Sequence, residues 1–116
     1  MSELDDFGQM LMREVRDRAI RELFERLIAS GDGRPSDESV RHLSSSADAE
    51  AIQDVILTAV DGAIGGFLFF MDRASTLKTF EVFSPTGASV AAMSDGIYTE
   101  PFTSNGWIEK YSEYQE

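Results

Sequence analysis

Carboxylates are the only reactive side chains that this sequence supplies at spacings suited to chemistry. Glu50 and Asp54 fall one helical turn apart, and Asp54 and Asp61 lie two turns apart on one helical face. Such pairs can divide general acid from general base, or hold Mg²⁺. A chain rich in acids also places such pairs on water-facing helices, and a solvated face is the expectation for Asp54 and Asp61. Asp61 still stands apart. Apolar residues border it on both sides, so it is the one acid that its surroundings are placed to perturb.

The other catalytic residue types are missing or isolated. There is no cysteine, which removes thiol nucleophiles, thiolate metal sites and disulfides. His42 is the single histidine. It is too little for a His-rich metal site and leaves little for a Ser-His-Asp triad. Set in a polar connector, it reads as a surface or capping side chain. No serine occupies a G-x-S-x-G elbow. Gly62-Ala63-Ile64-Gly65-Gly66 lacks the Lys-Ser/Thr ending of a phosphate loop. No cofactor is expected, and the chain reads as a non-enzyme. The alternative is a small-ligand or divalent-metal-dependent enzyme in which Asp54, Asp61 and Glu100 converge.

Charge narrows the partners. The chain has 116 residues, 42% of them hydrophobic, which suits a single domain with one core. Twenty-one acids oppose ten bases, a net charge of −11. Nucleic acid and anionic membrane surfaces both call for basic protein, so neither is expected. A basic protein partner would be steered in by such a field, although the same excess also serves solubility alone. The stretch MSELDDFGQM lacks the layout of a signal peptide, and the absence of cysteine fits the cytoplasm.

These residues must be positioned by few elements. Residues 2–30 predict a long first helix, capped by Ser2 or Asp5 and ended by Gly31. Leu4, Phe7, Leu11 and Val15 form its apolar face, continued by Ile20, Leu23, Phe24, Leu27 and Ile28. Half of the basic residues lie here, among them Arg13, Arg16, Arg18 and Arg21. Pairs such as Glu14–Arg18, Asp17–Arg21 and Glu22–Arg26 make this a solvated face rather than an anion site. Residues 32–46 are a polar connector, with a short helix around 37–43 behind Ser36 and with Ser44-Ser45-Ser46 capping the next helix.

Residues 47–72 predict the central helix. Its first half sets an apolar stripe of Ile52, Val55, Ile56, Ala59 and Ala63 against Asp54, Thr58 and Asp61. Its second half, residues 62–71, is apolar all round and should be covered on all sides. Asp61-Gly62 is also a turn signal, so a break with a strand at 64–72 remains open. A membrane span is not expected, because the run is short and carries an acid near its centre. Beyond it, 77–83 reads as an internal strand, Ser84-Pro85-Thr86-Gly87 as a type I turn, and 89–93 as the returning strand. An extended segment follows at 97–102, then a last helix from Trp107 to about Tyr114. The expected class is α+β: a long N-terminal helix, a central helix, a small antiparallel sheet built from a hairpin at 77–93 plus 97–102, and a short C-terminal helix.

The tail is the most distinctive stretch. Ser94-Asp95-Gly96-Ile97-Tyr98-Thr99-Glu100, followed by Gly106-Trp107-Ile108-Glu109-Lys110-Tyr111-Ser112, resembles an ending found in small uncharacterised bacterial proteins. The likeness covers about residues 51–112 and is similar to immunity-type proteins of bacterial toxin systems. It implies a non-catalytic module that neutralises a basic toxin domain. Tyr98, Glu100, Glu109, Tyr111, Glu113 and Tyr114 are the candidate partner-binding residues, as aromatic and charged side chains dominate such interfaces. The plainer role for Trp107 and Tyr111 is to anchor the last helix to the core. A third reading is a homo-oligomer or adaptor that buries the glycine-rich half of the central helix.

Overall fold

Ser2 opens the first helix. Its hydroxyl accepts the Asp5 N–H at 3.1 Å, and Glu3, Asp5 and Asp6 sit where the helix dipole favours acids. The computed structural model of the chain describes residues 2–28 and 49–115. The connector at 32–46, its short helix, the caps expected of Gly31, Ser36 and Ser44–46, and His42 lie outside the described residues.

Helix α1 (Glu3–Met10) runs without a break through a π-helical turn (Leu11–Arg16) into α2 (Asp17–Ile28). The Asp17 N–H reaches back five residues to the Met12 carbonyl. This wider turn changes which residues face inward. An α-helix of 3.6 residues per turn would bring Leu4, Phe7, Leu11 and Val15 to one side. The π turn takes up extra residues, so Met12 and Arg16 are buried while Val15 is 49% exposed. The expectation of a wholly solvated arginine face fails at Arg16 for that reason.

Helix α3 (Ala49–Thr76) is one 28-residue rod. It accounts for about 42 Å, at 1.5 Å per residue, of a molecule 47 Å long. No strand breaks it at Asp61-Gly62, since the i→i−4 ladder continues through all three glycines. The rod ends in a Schellman turn. The Thr79 N–H bonds the Ala74 carbonyl and the Lys78 N–H bonds that of Ser75, with Lys78 left-handed at φ 59°.

The expected α+β class is not what forms. Among the described residues there is no strand, only an isolated antiparallel bridge between Phe83 and Ser89. The reason is local. Residues 77–83 have β-forming side chains, but their would-be partner turns away after Val90. The Ser89 hydroxyl accepts the Ala92 N–H and starts a 3₁₀ turn at Ala91–Met93. A second 3₁₀ turn at Ile97–Thr99 replaces the expected extended segment. Pairing therefore stops after the bonds between Ser84 and Ala88 and between Val82 and Val90. The 77–83 stretch, expected to be internal, leaves Leu77, Phe80 and Phe83 exposed.

Helix α4 (Trp107–Tyr111) is a single turn that closes the core. Trp107 and Ile108 pack with Leu11, Met12, Ile64, Leu68, Met71, Val90 and Ile97. The Phe7 ring meets Trp107 edge-on, at 5.9 Å and 72°. Gly8 lies directly beneath the indole, and any Cβ there would overlap it. Gly8→Ala should therefore destabilise the fold by about 1–3 kcal/mol, as overpacking does, despite alanine's better helix propensity. Thermal melts of the two proteins check this; an equal or raised Tm would show that the indole is free to move aside.

Candidate functional site

Two features dominate: a buried ionic cluster, and an apolar face that the described residues leave uncovered. The cluster centres on Arg16, which the π turn carries into the interior at 0% exposure. Its Nε donates to Asp61 Oδ1 at 2.6 Å and its Nη2 to Asp61 Oδ2 at 3.2 Å. That is a two-point fork onto a carboxylate. Nη1 donates to the Ser112 hydroxyl at 2.7 Å and to the Tyr114 carbonyl at 2.5 Å. The Ser112 hydroxyl in turn donates to Asp17, whose other oxygen accepts the Glu113 N–H at 3.0 Å. One guanidinium thus joins the first helix, the central helix and the tail.

The cluster corrects the expected helix faces. Asp61 does not lie on a solvated side; it points inward to Arg16, while Asp54 is exposed. Val55, Ala59 and Ala63, expected inside, face out. A buried cation demands partners; Asp17 lies 3.8 Å from Arg16 Nη1, and α3 is rotated to deliver Asp61 to the other side of the guanidinium. The expected ion pairs along the first helix are rearranged too. Arg18 reaches forward to Glu22 at 3.2 Å, Arg21 pairs with Glu113, and Asp17 serves the tail.

Among the described residues no group of three or more His, Asp or Glu side chains is placed to hold a metal ion. Asp61 is held by Arg16, and Glu100 accepts the Ser94 hydroxyl at 2.7 Å. Arg16 has donors engaged by Asp61, Ser112 and Tyr114, so it acts as an internal brace.

The six expected partner-binding residues fall in different places. Tyr98 stands edge-on to Phe69 at 5.3 Å, beside α3. Glu109 accepts the Asn105 N–H at 2.6 Å and so fastens the start of α4. Glu109, Tyr111 and Glu113 line an open charged groove with Arg18, Arg21 and Glu22. Tyr114 packs edge-on against Phe24 at 5.5 Å. Tyr111 is half-buried against the core, and burial pushes its phenol up from the ordinary value, helped by the charges of Asp5 and Asp6. Most of these side chains are tied inward as well as exposed.

The second feature overturns the expectation that the second half of the central helix is covered within the chain. Residues 62–71 were expected to be covered on all sides, yet Phe67, Phe69 and Phe70 stay about half exposed. Between Thr58 and Asp72 the only polar side chain of α3 is Asp61, and it is turned inward. The outer side is therefore apolar for more than three turns. Gly62 and Gly66 form its floor, with open space where a Cβ would stand. Phe69 with Tyr98 bounds one side, and Phe70 with Phe80, at 6.5 Å, bounds the other. Phe102 lies over Gly65. The run of apolar residues was visible in the sequence; which side lacked a cover was not.

No protein-family model, curated protein or solved structure matches this chain.

Two outcomes test the cluster and the tail. Asp61→Ala should cost about 3–5 kcal/mol, the usual loss when a buried pair is broken, and Arg16→Met added to it should restore part of the loss. Urea unfolding measures both, with Asp54→Ala as the exposed control; equal losses at 54 and 61 would remove the cluster from its central role. Tyr111 has a folded pKa raised above its unfolded value, so its contribution to stability is present below about pH 10 and is lost as pH rises through the raised value. An ultraviolet absorbance titration should show a late-ionising phenol that Tyr111→Phe removes.

Proposed function

We propose that the protein is a non-catalytic protein-binding module whose working surface is the outer face of α3 with Phe80, Tyr98 and Phe102. The carrying observation is the apolar side of α3, without a polar side chain pointing outward from Ala59 to Phe70. Contiguous apolar patches of this kind on a folded chain mark interaction sites. Aromatic side chains flanking a glycine floor give the surface relief, and relief supports specificity. Asp61 and Glu100, two of the carboxylates weighed for catalysis, are instead engaged by Arg16 and Ser94.

A second reading keeps the acidic surface for a basic partner, such as the toxin domain of an immunity pair. It draws support from the net charge of −11 and from exposed Glu14, Glu22 and Glu25 along the groove between α2 and the tail. The two differ in their response to salt. Binding of a basic partner through the exposed acids of this mixed-charge groove weakens steeply as salt rises, whereas binding through the apolar face does not.

A photoreactive benzoyl-phenylalanine at position 70 should form protein cross-links in cells, and one at position 22 should not. Cross-links at 22 alone, lost in high salt, would favour the acidic reading. Silence at both positions would sink the proposal that this chain works by binding protein.

A further inference from the structure

We infer that the partner on this face is a second copy of the chain, with the two α3 helices crossing antiparallel about a two-fold axis. This rests on the protein-binding reading above and specifies its partner. The face carries both halves of a complementary surface. Gly62 and Gly66 are hollows with nothing within 4 Å of a built Cβ, while Phe69 and Phe70, one turn on, stand out from the same helix. A two-fold contact near Gly66 lays the phenylalanines of each copy over the glycines of the other. Isologous interfaces require this self-complementarity.

The charges at the two ends of the face agree. Arg73 and Lys78 lie at its C-terminal end and form no ion pair among the described residues. Asp54 is exposed near its N-terminal end. Asp72 lies about five turns beyond Asp54 on the same side, so antiparallel crossing sets Arg73 and Lys78, two bases against that one acid, near Asp54 of the other copy, whereas parallel crossing brings the bases of both copies together. The area is also sufficient. Six rings, Phe67, Phe69, Phe70, Phe80, Tyr98 and Phe102, are each between 37% and 72% exposed. At about 200 Å² per ring, and with the glycine–alanine floor added, the face offers roughly 800 Å² per copy. A stable interface takes about that from each partner.

A bilayer is the competing occupant, because the 50–76 stretch of α3 is long and apolar enough to cross one by length and composition. The fold opposes it. The inner side of α3 is bound through Asp61 to Arg16, on a helix whose other faces carry Arg13, Glu14, Arg18 and Glu22. The side of α3 that carries Ile64, Leu68, Met71 and Ala74 is buried against the rest of the chain, and a net charge of −11 repels anionic lipid.

Sedimentation velocity of the full chain decides the matter. The wild type should dimerise, and more tightly as salt screens the repulsion between two acidic copies. Gly66→Gln should weaken dimerisation at least about tenfold with an unchanged or higher Tm at concentrations where both proteins are monomeric, because the site is open and glycine is a poor helix former. Arg73→Asp should weaken it as well, and Asp54→Arg added to it should restore it. A monomeric wild type at every concentration and salt would overturn the inference. So would an unaltered dimer in Gly66→Gln, or flotation of the wild type with phosphatidylcholine–phosphatidylglycerol vesicles in place of dimerisation. A monomer that still cross-links to another protein through position 70 would refute the second copy alone and leave the protein-binding reading standing.

Discussion

A buried guanidinium cannot be left alone, and much of this architecture follows from that. Arg16 has no exposure, so desolvation makes every missing partner costly. Asp61 answers from α3, Ser112 and the Tyr114 carbonyl from the tail. Each of these contacts restrains a different segment. The π turn sets the position of Arg16, Arg16 sets the rotation of α3, and that rotation decides which residues of α3 meet water. The apolar outer face is thus the far side of a choice made at position 16.

Around this brace the hydrophobic core is modest. Trp107 fills the space over Gly8, with Phe7 against its face, and Leu68, Ile97 and Met12 complete the packing. The single-turn helix α4 is held by its ends as much as by its own ladder. Glu109 fastens its entry, and the Trp107 and Ile108 N–H groups bond the Glu100 and Pro101 carbonyls. Among the described residues no second layer covers α3 from outside.

The sequence showed some of this and hid the rest, for identifiable reasons. The long helices were legible from apolar spacing, and Trp107 from its type. Ser2 as a cap followed from its place before acidic residues. The register of the first helix was not legible, because a π turn leaves no mark in a 3.6-residue pattern. The inward turn of Asp61 was hidden for the same cause, since its partner was assigned to the surface. The absent sheet has another origin. Residues 77–83 carry strand-forming side chains, but strand propensity is realised only against a partner. Ser89 directs that partner into a 3₁₀ turn. The six tail residues marked for binding were chosen by type, and type alone does not separate a side chain that fastens α4 from one that greets a partner.

The partners of Arg16 are widely separated along the chain, with Ser112 and Tyr114 lying 96 and 98 residues away. On a ribosome, the first helix emerges long before the tail that completes its buried cluster. Until residues 112–114 are free, Arg16 lacks two of its hydrogen-bond acceptors and α3 lacks part of its brace. Until then the nascent chain carries an incomplete core and a bare apolar rod at the same time, and only the emergence of residues 112–114 closes the first. The contact that locks Arg16 is therefore among the last that synthesis of residues 1–114 makes possible.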